Sequence, residues 1–154
     1  MKLAIESRLK SLRSFTERIE SDDVPEDIRG SLYRFSAVRL CGHLEQCVQI
    51  IILERLSGRG HPKLLNFVKS HFKKGQNLKC GDIIQLLYRF DSEWGANLKG
   101  FIDSRPDIDD AISSAYGIRN PIAHGAQASL GWKRLQELQY LVEELVDGII
   151  DATQ

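Results

Sequence analysis

Residues 24–56 read VPEDIRGSLYRFSAVRLCGHLEQCVQIIILERL, and the pattern of this stretch decides the fold. Ser21, Asp22 and Asp23 make a polar break, and Pro25 stands where a first helical residue belongs, so a helix is expected from near Val24 to about Leu56. Ile28, Leu32 and Phe35 form one stripe at helical spacing. From Val48 to Leu53 the apolar residues are nearly continuous, which is the pattern of a helix with neighbours on every side. This segment is the expected central strut, and Gly42 within it is expected to permit close helix packing.

The flanking sequence repeats the helical period. Ile5, Leu9, Leu12 and Ile19 mark a first amphipathic helix over about Lys2 to Glu20. Leu65, Val68 and Phe72 mark a short helix; Ile83, Leu87 and Phe90 mark another, and Trp94, Leu98 and Phe101 one more after Ser92. Pro106 with Asp107, Asp109 and Asp110 reads as the first turn of a further helix, where carboxylates complement the positive end of the dipole. Leu135, Leu138, Val142, Leu145 and Ile149 repeat in steps of three and four, a seam for bundle packing or for a partner helix. No segment alternates as a strand does, and there is no internal repeat or low-complexity tract. The expectation is an all-α fold in one domain spanning residues 1–154.

Composition narrows the partners. Formal net charge is zero, so no global positive field draws in nucleic acid and any RNA contact must be local. The densest positive charge is a basic loop holding Lys69, His71, Lys73, Lys74 and Lys79; with Arg59 and Lys63 just upstream it reads as a solvated loop or as a phosphate-contacting rim. The three cysteines, Cys41, Cys47 and Cys80, are odd in number and have apolar neighbours, which fits free thiols in a reducing compartment. Met1 to Glu6 turns charged at once and no apolar run reaches the length of a membrane span, so a cytoplasmic protein without a membrane partner is expected.

The chemistry concentrates in SSAYGIRNPIAHG, residues 113–125. Arg119 and His124 are five apart, a net rotation of about 140° on a regular helix, so they do not share a face unless the helix bends. Pro121 has no N–H and presses on the carbonyl of Gly117, so a bend between these residues is expected to swing His124 toward Arg119. Gly125 then reads as a C-terminal stop.

This motif resembles the R-x(4–6)-H signature of the HEPN superfamily, and RNPIAHG is close to its usual form. The nearest branch is RiboL-PSP-HEPN, in which a long early helix carries a Leu-Glu or Trp-Glu pair, here Leu44-Glu45. Arg55 to His61 also satisfies the spacing, but it straddles the turn sequence SGRGHPK. The resemblance implies an up-and-down helical bundle, often dimeric with the motif helices meeting at the dyad, and in many members a metal-independent endoribonuclease site. The residue types suit that chemistry. An imidazole takes a proton from a ribose 2′-hydroxyl near neutral pH, and the planar guanidinium of Arg119 suits two non-bridging phosphate oxygens. Asn120 would orient the phosphate or the histidine, and Glu45 would support Arg119. The products would be 2′,3′-cyclic phosphate and 5′-hydroxyl ends. A homodimer would bring two copies of His124 to one cleft and supply the general acid.

No cofactor or metal is expected. RNA, a second copy of the chain, and an antitoxin or other regulatory protein are the expected partners, in a toxin, defence or RNA-processing role. The rival is a non-catalytic HEPN-like module for dimerisation, nucleotide binding or partner binding, in which Arg119 simply pairs with Glu45 and His124 donates to a backbone carbonyl. Cys41, His43 and Cys47 share two turns of the central helix, and His43 and Cys47 stand at a spacing that suits zinc. Without a matching second pair, buried thiols beside a polar-face histidine are expected instead.

Overall fold

Seven helices are found among the described residues, and the second is the central one. The structure is a computed structural model that describes residues 1–58, 61–72, 77–123 and 130–154, without the side chains of 120–123. The order is α1 (Lys2–Ile19), α2 (Glu26–Leu56), α3 (Pro62–His71), α4 (Cys80–Phe90), α5 (Ser92–Ser104), α6 (Pro106–Ala123) and α7 (Trp132–Ala152), with no strand among the described residues. None of these helices is long and apolar enough to cross a membrane.

α2 packs against α1, α3, α6 and α7, which is why its second half is apolar over most of its circumference. Ala37, Cys47, Val48, Ile51 and Ile52 are wholly buried in it, and one hydrophobic cluster joins residues from every helix. The seam expected along α7 is buried throughout, from Leu135 to Ile149. α4 and α5 form a tight corner in which Asp91, extended at φ −157° and ψ 127°, ends one helix and caps the next by accepting a hydrogen bond from the Glu93 N–H at 2.7 Å. Gly58, at φ 74°, makes the left-handed turn after α2 that glycine adopts most easily.

Packing corrects two expectations and sets the depth of a third feature. The Ile28, Leu32, Phe35 stripe is aligned along α2 but lies at the surface: Ile28 is 44% and Phe35 51% exposed, and Phe35 meets only the edge of Phe15 among aromatic rings, at 5.9 Å. Gly42 is not a close-packing point, since a Cβ there would have no neighbouring atom within 4 Å. The close approaches are at Gly95, under the Tyr88 ring, and at Gly148, where a Cβ would fall 2.4 Å from Cε1 of Phe101. Lys69 and His71, placed in a basic loop by the sequence, belong to the last turn of α3, where positive charge complements the helix dipole.

The C-terminal ends of α2 and α7 are tied together by Arg55 in the last turn of α2. Its Nη2 donates to the Ile150 carbonyl at 3.0 Å and its Nε to Oγ1 of the buried Thr153 at 3.2 Å, satisfying carbonyl and hydroxyl groups where α7 runs out of its own donors.

The glycine contrast yields substitutions of opposite sign. Gly148→Ala must displace the Phe101 ring and is expected to lower the free energy of unfolding by about 1–3 kcal/mol. Gly42→Ala meets no obstacle and gains helix propensity, so it is expected to raise it by up to about 1 kcal/mol. Urea midpoints of the two variants measured side by side check the pair.

Candidate active site on α6

Arg119 reaches from α6 to α2, and a small polar network forms where they meet. Its Nη1 donates to Oε1 of Glu45 at 2.6 Å and to Oδ1 of Asn77 at 3.1 Å. The same Glu45 oxygen accepts from the Tyr116 hydroxyl at 3.3 Å. Each element has a local reason to supply its residue. Tyr116 and Arg119 are three apart on α6 and so share a face; the Tyr116 ring is fully buried, and the Arg119 guanidinium lies 5.6 Å from its centre. Glu45 sits at the edge of the face of α2 that buries Cys41, Leu44 and Val48. Asn77 is held in place by its neighbour Leu78, which is 4% exposed.

The electrostatics follow from this half-burial. The Arg119 and Glu45 side chains are 23% and 14% exposed. Burial opposes the Arg119 charge, but the hydrogen bond and charge of Glu45 outweigh it and raise the guanidinium above its ordinary value. Burial pushes the Tyr116 hydroxyl well above the usual phenol range, so it acts at neutral pH as a donor to Glu45. Among the described residues only Nη1 of Arg119 is committed. Its Nε and Nη2 hold no hydrogen bond to any described residue, and this is the fork edge that can grip two oxygens of a phosphate.

The sequence matches the family described as RiboL-PSP-HEPN over residues 3–154. The chain belongs to that family. No curated protein and no solved structure matches it. Its all-helical architecture is that of a HEPN-like bundle, and the Glu45–Arg119 pair physically joins the Leu44-Glu45 and RNPIAHG features on which the HEPN resemblance rests.

The remaining site expectations for this HEPN chain divide by position. α6 stays helical through Pro121 to Ala123. His124 and Gly125, the residues that the expected bend and stop concern, lie outside the described residues, as does the side chain of Asn120. Arg59, Lys73 and Lys74 also lie outside them, whereas Lys63 is exposed in the first turn of α3. The competing pair at Arg55 and His61 is occupied structurally: Arg55 ties α2 to α7, and Nδ1 of His61 caps α3 by accepting from the Lys63 N–H at 3.2 Å.

Sequence reading missed Asn77 and Tyr116. Tyr116 carried a signal, since it stands one turn before Arg119 within the motif stretch. Asn77 carried none, because a loop residue's contact across the fold leaves no periodicity.

The acidic first turn of α6 is likewise structural. Asp107 takes a two-pronged hydrogen bond from Nε and Nη2 of Arg105, both at 2.9 Å, which holds its carboxyl below the ordinary carboxylate value. Among the described residues no group of three His, Cys, Asp or Glu side chains gathers as a metal site would require.

The His43 expectation needs correction. His43 does not lie on a polar face; it is 6% exposed, with Nε2 at 3.4 Å from Sγ of Cys47. Burial, with a smaller contribution from Arg8, lowers its pKa from 6.5 to about 4, and burial pushes the Cys41 and Cys47 thiols up to about 12. The unfolded chain therefore takes a proton on His43 below pH 6.5 while the folded chain holds it neutral down to about pH 4. Stability is full above that window and declines as pH falls through it, by roughly 1.4 kcal/mol per pH unit. Urea midpoints followed from pH 7 to pH 5 are expected to fall, and His43→Leu is expected to remove about 2 kcal/mol of that dependence.

Proposed function

We propose that this chain is a metal-independent endoribonuclease that uses the ribose 2′-hydroxyl as its nucleophile. The observation that carries this reading is the state of Arg119: one nitrogen is fixed by Glu45 and Asn77, and the phosphate-gripping edge has no partner among the described residues. Family membership and the RNPIAHG motif support it.

In this mechanism Arg119 holds the non-bridging oxygens of the scissile phosphate and stabilises the charge that builds on them. His124 removes the proton from the 2′-hydroxyl. The 2′-oxygen forms a bond to phosphorus as the bond from phosphorus to the 5′-oxygen breaks. A proton delivered to the leaving 5′-oxygen by His124 of a second copy completes the reaction, leaving a 2′,3′-cyclic phosphate and a 5′-hydroxyl. Asn120 orients the phosphate or the imidazole, and Glu45 positions Arg119. The cellular role that fits is a toxin, defence or processing nuclease, with an antitoxin as the fitting regulator of the first.

One observation favours a second reading. The Glu45–Arg119 bridge is partly buried and joins α2 to α6, so it also suits a non-catalytic dimerisation or binding module in which the motif serves the fold.

End-labelled RNA incubated with EDTA, beside a DNA strand of the same sequence, separates the two. Cleavage confined to RNA, ending in a cyclic phosphate and reduced at least a hundredfold in both His124→Ala and Arg119→Ala, is the expected outcome. His124→Ala is expected to leave the melting temperature unchanged. A natural chain that cuts no RNA, with a His124→Ala variant that melts well below it, would establish the binding module instead.

A further inference from the structure

Glu45 also lines a second feature. Between α1 and α2 runs an open groove of about 610 Å3, within the roughly 300–1,000 Å3 span of ligand clefts. Arg8 and Ser11 line it from α1, and Arg39, Gly42, Glu45 and Gln46 line it from α2. The residues at 39, 42 and 46 are three and four apart, so one face of α2 forms the whole wall.

The charge in this groove is uncommitted. Arg13, Arg105, Arg119 and Arg134 are ion-paired, and Arg55 holds backbone and hydroxyl oxygens, but neither Arg8 nor Arg39 has a carboxylate partner among the described residues. Arg39 is positioned instead by lying 4.4 Å from the centre of the Phe15 ring, a contact that orients a guanidinium without spending its N–H donors. The carboxylate in the lining does not cancel these cations, because Glu45 is already paired with Arg119. His43 lines the groove as a neutral group above about pH 4. Ser11 and Gln46 add neutral donors. Gly42 keeps the wall open, since a Cβ there meets nothing within 4 Å.

A cleft with two free guanidinium groups, neutral hydroxyl and amide donors and no uncompensated acid matches a phosphodiester chain. We infer that the α1–α2 groove is a backbone subsite for single-stranded RNA, in which Arg8 and Arg39 contact phosphates flanking the one held at Arg119. The inference rests on the ribonuclease reading for its ligand. It also explains how a chain of zero net charge holds RNA: the attraction is local to one groove.

The test separates binding from cleavage by using a single-stranded oligoribonucleotide that is fully 2′-O-methylated, which has no nucleophile to react. Its affinity is measured by fluorescence anisotropy over a range of salt concentrations, for the natural chain, for Arg8→Gln with Arg39→Gln, and for Gly42→Leu. The double variant is expected to bind about tenfold or more weakly, with a slope of log affinity against log salt shallower by about 1.4, or about 0.7 for each phosphate that is no longer neutralised. Gly42→Leu fills the groove without changing charge and is expected to weaken binding while melting no lower than the natural chain. Unchanged affinity and slope in the double variant, or no binding by the natural chain, would overturn the subsite. Cleavage of unmodified RNA is scored separately. Cleavage with unaltered binding in the groove variants leaves the ribonuclease standing and removes the subsite. Binding abolished in the groove variants, with no cleavage by the natural chain, keeps the subsite and removes the nuclease.

Discussion

A helix that is apolar over most of its circumference has to be surrounded, and the rest of this structure answers that demand of α2. From Ala37 to Ile52 buried apolar side chains occupy most of the helix circumference, so α1, α3, α6 and α7 all pack on it. Glu45 is the one carboxylate within that span. A carboxylate at 14% side-chain exposure costs more in lost hydration than the core returns unless it is paired, and α6 supplies both the guanidinium of Arg119 and the hydroxyl of Tyr116 to one of its oxygens. The polar network is thus a condition of the packing as well as a feature of the site.

That double role gives the motif arginine fixed partners within the protein itself. Pinning Nη1 removes side-chain freedom that a phosphate would otherwise have to take up on binding, and Asn77 closes the same nitrogen from the loop before α4. The edge left over is the one suited to paired oxygens. A group that served only to neutralise Glu45 would gain most from a fully two-pronged pair, as Arg105 makes with Asp107; Arg119 gives its carboxylate one nitrogen alone.

Helix placement was legible in the sequence because burial imposes a period, and the seam on α7 and the long strut of α2 both follow it. Depth of burial was not. Ile28, Leu32 and Phe35 align as a buried stripe would, but alignment states only which residues share a face, and Ile28 and Phe35 stay largely exposed although Phe15 of α1 meets the Phe35 ring. Gly42 and Gly148 look alike as letters; their difference lies in whether an aromatic ring from another helix stands above them. His43 was assigned to a polar face by its chemistry, yet its register beside Leu44 and Cys47 placed it inside. Of the site, the Arg119 and Glu45 partnership was readable because both belong to recognisable patterns, whereas Asn77 entered through tertiary proximity alone.

The three cysteines give the fold an internal clock. Each thiol is buried and pushed up to about 12, so in the closed protein almost none of the reactive thiolate exists at neutral pH. A modifying reagent can reach Cys41 and Cys47 only when α2 parts from its neighbours, and Cys80 only when the start of α4 lifts. Their labelling rates therefore time the opening of the central helix and of the α4 corner as separate events, with no foreign probe added to the chain.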